Sequence, residues 1–170
     1  MSETTLDQVL SQRLDTNKDI VNVDIPMVKL VIFELGNQCF AFYSAHIREI
    51  LAQAEVFFLP GCPASLEGVI NVRGDIESVM RPHEMLHLAD SGVARSSSIL
   101  LGVGAGMRSG IRVDRIVDVT DVPQNSIQPP PATLPEHMRA LVLGVLNFQA
   151  QPVTVLDLDK MFSDYARGLG

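Results

Sequence analysis

The sequence predicts a mostly β chain folded as two small barrels, and three observations carry that expectation. Apolar residues fall in short runs of strand length, glycine and proline punctuate those runs, and the whole pattern occurs twice. One copy begins at Val28 and reaches Gly68-Val69-Ile70-Asn71. The other begins at Ile99 and reaches Gly144-Val145-Leu146-Asn147, so the two tetrapeptides start 76 residues apart (144 − 68). Each copy ends in a segment with helical spacing, at 82–88 and at 157–169. Many short strands with Gly and Pro turns indicate a barrel or sandwich, and two copies indicate two barrels. Each alone is too small for a robust core, so the pair is expected to share packing. A body of this kind suits holding partners better than it suits chemistry.

The elements follow in chain order. Residues 1–26 stand apart as an N-terminal helix and linker. Thr5 and Gln8 fit a capping box, and Leu6, Val9, Leu10 and Leu14 recur at helical spacing. Val21, Val23 and Ile25 alternate with Asn22 and Asp24 and could add an edge strand. Residues 27–165 form the main domain, with 27–90 expected mainly in a first barrel and 97–165 mainly in a second barrel plus a C-terminal helix.

Val28–Leu35 is a nearly continuous apolar run, turned by Gly36 and Asn37, and Phe40–Tyr43 continues as a second strand. His46–Leu51 can be helical or extended. Leu66–Val72 and Ile76–Met80 flank a turn at Gly74, and Pro82 suits the first turn of a helix. Residues 89–98 are small and polar and mark the boundary between copies. In 111–119, Ile111, Val113, Val117 and Val119 share one parity, while Arg112, Asp114 and Asp118 share the other, which predicts strands with one wet face. Five prolines between Pro123 and Pro135 impose an extended connector. Asp157 can cap the last helix, whose buried stripe is Leu158, Met161, Phe162, Tyr165 and Leu169.

Composition excludes several classes. The 170 residues suit one domain or two small fused ones. Net charge is −7, with 13 basic and 20 acidic residues and no Lys/Arg cluster, which argues against a nucleic-acid binder. The uncharged run Ala140–Leu156 contains Asn147, Gln149, Gln151 and Pro152, so it reads as two strands and no membrane insertion is expected. Glu3 and Asp7 leave no apolar export signal at the N-terminus. Cys39 and Cys62 are expected to be reduced thiols of a cytoplasmic protein.

Specific residues now fall in order: Leu35-Gly36, the run His46–Leu51, Leu59-Pro60, Asn71-Val72-Arg73-Gly74, Gly110–Asp114, Val117–Val119, Gln128 with three prolines to Pro131, Gly144-Val145 and Leu156–Leu158. Together they resemble the CheW-type chemotaxis coupling proteins over about residues 28–165. The resemblance implies two SH3-like barrels of about five strands each and no enzymatic activity, cofactor or metal. It implies a cytoplasmic adaptor, associated with membrane receptor arrays, that couples the cytoplasmic tip of methyl-accepting chemoreceptors to the regulatory domain of the chemotaxis histidine kinase. Carried over residue by residue, Arg73, Ile47, Ile116 and Val119 are expected in receptor binding, and Glu49 at a partner interface. Asn71 and Gly74 set a turn. Arg81 stands where the family carries an acid, a reversal expected to alter which partner docks. An adaptor of the same fold serving a divergent pathway, such as pili or surface motility, is the alternative.

Two other motifs compete. His83-Glu84-Met85-Leu86-His87 satisfies H-E-x-x-H, which on a helix would place two imidazoles on one face for zinc with Glu84 as base. The segment is short and no third ligand is evident, so a solvated helix start is preferred over a zinc peptidase. Gly102, Gly104 and Gly106 suggest a phosphate loop, but the spacing fails and no Gly-Lys-Ser/Thr follows.

Overall fold

The computed structural model describes residues 25–88 and 97–169. The expected helix at 6–14 and the boundary segment at 89–96 lie outside the described residues. Ten strands form two five-stranded sheets. In chain order they are β1 (Met27–Leu35), β2 (Gln38–Tyr43), β3 (Ile47–Leu51), β4 (Leu66–Val72), β5 (Asp75–Met80), β6 (Ser98–Gly104), β7 (Met107–Val113), β8 (Arg115–Pro123), β9 (Val142–Phe148) and β10 (Gln151–Leu156). A 3₁₀ turn at Ser44–His46 precedes β3, and another at Gln124–Ser126 follows β8. The helices are α1 (Glu136–Arg139) and α2 (Leu158–Leu169). This mostly β architecture agrees with two SH3-like barrels.

The first sheet has the order β8-β1-β2-β10-β9 and the second β3-β6-β7-β5-β4. The sheets therefore do not divide the chain at 27–90 and 97–165. Each is completed by a hairpin from the other copy: β1–β2 joins β8–β10, and β6–β7 joins β3–β5. The duplication itself is visible in the pairing. β10 runs parallel to β2, as β5 does to β7, and both β4–β5 and β9–β10 are antiparallel. Gly68 and Gly144 occupy equivalent places. Each lies under an extended segment, bridged through Phe57–Val69 in one barrel and Gln128–Val145 in the other. A Cβ on Gly68 would sit 2.3 Å from the Phe57 carbonyl oxygen, and one on Gly144 would sit 2.6 Å from that of Gln128. Close backbone approach is thus why both copies keep glycine there.

The strands are built for two kinds of core. β1 is apolar on both faces. Leu30 and Ile32 enter a core of the first barrel with Ala41, Val153 and Val155, while Val31, Phe33 and Leu35 face the other way. Ile70, Val72, Val79, Ile99 and Leu101 make the corresponding core of the second barrel. The largest cluster belongs to neither. It unites Val31, Phe33, Phe40 and Phe42 with Met80, Leu100, Ile111 and Val113 from the second sheet, and α2 closes it with Leu158, Met161, Phe162 and Tyr165. The expected sharing of packing takes this form.

Two local expectations are corrected. Residues 82–88 form turns and not a helix, although 158–169 is one. Both segments leave their strand alike, with Arg81 N–H donating to Ser65 O (2.7 Å) and Asp157 N–H donating to Leu141 O (2.8 Å). Asp157 then accepts the Lys160 N–H at 3.1 Å, an N-cap that starts α2. Arg81 has no acceptor to offer, and the chain closes with His87 in the left-handed region (φ 53°). The second correction concerns the wet face of 111–119. Arg112 is only 7 % exposed. Its guanidinium makes a bidentate pair with Glu67 at 2.9 and 2.6 Å, so a paired charge occupies a position that alternation assigns to solvent.

Candidate functional site

The turn between β4 and β5 is built by two residues with positive φ, Arg73 (50°) and Gly74 (93°), the geometry of a two-residue hairpin. Asn71 Oδ1 accepts the Gly74 N–H at 2.8 Å, so Asn71 and Gly74 set this turn. The turn presents Arg73 beside Glu49 of β3. The guanidinium donates to both carboxylate oxygens, at 3.0 and 2.7 Å. That fork holds the Glu49 carboxyl below its ordinary value, and Glu49 in turn raises Arg73. The Arg73 side chain remains 74 % exposed, so its charge is available on the surface. An open cavity of about 530 Å³ lies alongside, lined by Glu49, Leu51, Ala54, Phe57, Asn71 and Val72 among others.

The remaining expected residues lie elsewhere. Ile47 opens β3, the edge strand of the second sheet, and Ile116 lies on β8, the edge strand of the first. Both are half-buried and pack against the cluster shared by the barrels. Val119, also on β8, is 44 % exposed. Glu49 and Arg73 therefore form one constellation on the second barrel. Ile47 and Ile116 converge on the inter-barrel core, and Val119 extends the edge of the first barrel outward. None of these groups is arranged for acid–base or nucleophilic work.

Sequence reasoning missed an apolar surface next to the ion pair. Phe57, Phe58 and Leu59 are exposed, Phe58 by 75 %, and Ile50 of β3 is exposed as well. The signal was available in Pro60-Gly61 directly after Leu59, because a bulky apolar run cut off by breakers has no second turn in which to hide. Arg81, in contrast, is not a surface feature. Its side chain is 13 % exposed and 3.3 Å from Glu67, the same carboxylate that holds Arg112. The Arg81 charge is thus paired with an acid inside the protein.

The H-E-x-x-H reading fails on geometry. His83 is buried, with Nε2 3.1 Å from Asp114 Oδ1. His87 stacks on His137, ring centroids 3.7 Å apart. The two imidazoles of the motif thus serve different partners, and the helix that would align them is absent. Among the described residues no group of three or more His, Cys, Asp or Glu side chains could hold a metal ion. The Cys39 thiol is pushed up by burial and by the neighbouring Glu34 carboxylate, although Arg115 opposes this.

Comparison with known proteins settles the family. The model of the CheW-like domain matches residues 29–166. The chain belongs to the CheW-like family. A chemotaxis protein CheW of Treponema pallidum is 29 % identical over 139 residues, covering 79 % of this chain and 82 % of that protein. Protein FrzA of Myxococcus xanthus is 22 % identical, covering 80 % and 86 %. Among solved structures, the scaffolding protein TtCheW of Thermoanaerobacter tengcongensis superimposes with a TM-score of 0.73 at 25 % identity, covering 81 % of this chain and 93 % of that one. CheW-like proteins are scaffold adaptors, and membership of the family makes this chain a coupling adaptor of chemotaxis signalling. No helix among the described residues is long and apolar enough to cross a membrane.

Proposed function

We propose that this chain is a non-catalytic cytoplasmic adaptor that couples the cytoplasmic tip of methyl-accepting chemoreceptors to the regulatory domain of a histidine kinase. The observation that supports the reading is a displayed, ion-paired arginine on the second barrel, on the same sheet as Ile47, which with Ile116 of the other sheet packs where the two barrels meet. A receptor tip is a bundle of amphipathic helices, and a helix is bound by laying apolar anchors into a groove while charges fix its register. Ile47, Ile116 and Val119 supply the apolar contacts, and Arg73 supplies the charge. Glu49 holds that charge in one place, so it arrives partly ordered. The kinase domain takes a barrel-end strand surface. Occupying both at once makes the second binding event intramolecular and lets receptor state bias the kinase.

The test is Arg73→Glu in the full chain. The reversal sets two carboxylates side by side at Glu49 and repels whatever anion the arginine met. Receptor-fragment binding is lost, while circular dichroism and binding to the kinase domain are retained. Unaltered receptor affinity would remove Arg73 from the site.

A further inference from the structure

Among the described residues the chain passes from one sheet to the other at only two places. One is the turn Ser44–His46 between β2 and β3, and the other is Asp114 alone, between β7 and β8. Ile47 directly follows the first passage, and Ile116 lies two residues beyond the second. The half-buried Ile47 and Ile116, which the proposed receptor groove would use, thus each sit just beyond a passage, and each passage is held by a histidine. His46 Nδ1 lies 3.1 Å from the Val103 carbonyl oxygen. At the second passage the Asp114 carboxylate ties together separate segments. Oδ2 accepts the Gly36 N–H of the β1–β2 turn at 2.8 Å, and Oδ1 meets buried His83, on the turn after β5, at 3.1 Å. The Asp114 N–H donates to Glu34 O at 2.9 Å.

One side chain thus binds a hairpin turn of the first barrel to a turn of the second, at the residue where the chain changes sheets. Just beyond it the pairing of β8 with β1 shifts register. Ile116 stands opposite Phe33, whereas Asp118 stands opposite Ile32. A bulge of this kind aims side chains according to how the strand enters it. We propose that Asp114, fastened by His83, is a positioning residue for the groove: it fixes the entry of β8 and hence the place of Ile116. The inference rests on the receptor-binding reading given above. The clasp does not hold the barrels together. Seventeen buried residues of the shared cluster do that, so the fold outlives the loss of one carboxylate.

The experiment compares Asp114→Ala, Asp114→Asn and Ile116→Asp in the full chain, by amide hydrogen exchange and by affinity for a receptor cytoplasmic fragment and for the kinase regulatory domain. In Asp114→Ala the Gly36 amide exchanges about tenfold faster, as expected for losing a charged acceptor. Receptor affinity falls at least about fivefold and kinase affinity stays within about twofold, because the damage is local. Asp114→Asn keeps a carbonyl acceptor and recovers most of the affinity, which loss of stability alone would not predict. If Asp114→Ala does not fold, His83→Leu removes the other half of the clasp and is read in the same way. Unchanged Gly36 exchange overturns the proposal. So does unchanged receptor affinity in the alanine variant when Ile116→Asp abolishes binding. If Ile116→Asp itself binds normally, the groove assignment is what fails.

Discussion

Replacing Phe162 by alanine tests whether the two barrels are one cooperative unit. Phe162 lies on α2, which follows the first barrel, yet its ring reaches the second: a Cβ built on Gly102 of β6 would lie 3.3 Å from Phe162 Cζ. The side chain is 0 % exposed and sits in the cluster that draws on both sheets. Removing a fully buried phenylalanine costs about 3–5 kcal/mol, the transfer loss plus a cavity that the surroundings only partly fill. For a chain of this size each kcal/mol lowers the melting temperature by about 2–4 °C, so the fall is on the order of 10 °C. Differential scanning calorimetry and urea titration, followed by circular dichroism, read it directly. The wild type and the variant should each show one transition, with the calorimetric enthalpy matching the van't Hoff enthalpy. Two separate transitions, with only one displaced by the substitution, would show that the barrels fold independently and that the shared core has been misread.

Other expectations are equally concrete. Gly68→Ala and Gly144→Ala each push a Cβ into a backbone oxygen and should each destabilise by about 1–3 kcal/mol in urea titration; a free substitution at one site only would break the equivalence of the two copies. Asp157→Ala removes the cap of α2 and should cost about 1 kcal/mol, whereas Arg81→Ala, where no helix follows, should act instead through Glu67 and leave the helical signal unchanged. The Glu49 carboxyl, held down by Arg73, should titrate by NMR below its ordinary 4.5 and return to it in Arg73→Gln. The sign follows: the ion pair is complete above the ordinary glutamate range and is lost as pH falls through the lowered value, so receptor binding should weaken only in more acidic solution. An equal midpoint in both proteins would mean that the fork does not persist in solution.

Much of the fold was legible because local rules agree with the final structure. β1 shows its burial on both faces as a nearly continuous apolar run, Gly36-Asn37 and Gly74 mark hairpins, and the helical stripe of α2 is buried at Leu158, Met161, Phe162 and Tyr165. The repeated Gly-Val-[Ile/Leu]-Asn pointed to a duplication that the pairing bears out. What could not be read was which hairpin completes which barrel. That choice depends on parallel contacts such as Cys39 with Val153, which no local pattern encodes. Periodicity also cannot tell a solvated charge from one paired indoors. From the sequence Arg112 therefore reads as solvated, and His83 as part of an exposed helix start. The helix expected at 82–88 followed from Pro82 at a first turn and from apolar spacing, and the lack of a capping residue at Arg81 decided otherwise.

The candidate site divides the same way. Arg73 and Glu49 came from separate stretches of sequence by family resemblance, and the structure places them in a bidentate pair. The exposed Phe57 and Phe58 and the clasp at Asp114 were not foreseen, because both owe their character to what packs beside them and not to their own neighbours in sequence.

The account stands or falls on simultaneous binding. Sedimentation velocity of the full chain with a receptor cytoplasmic fragment and the kinase regulatory domain should reveal a ternary complex, lost to a binary chain–kinase complex when Arg73 is replaced by glutamate. Competition between the two partners for the chain, or a ternary complex that Arg73→Glu leaves intact, would contradict it.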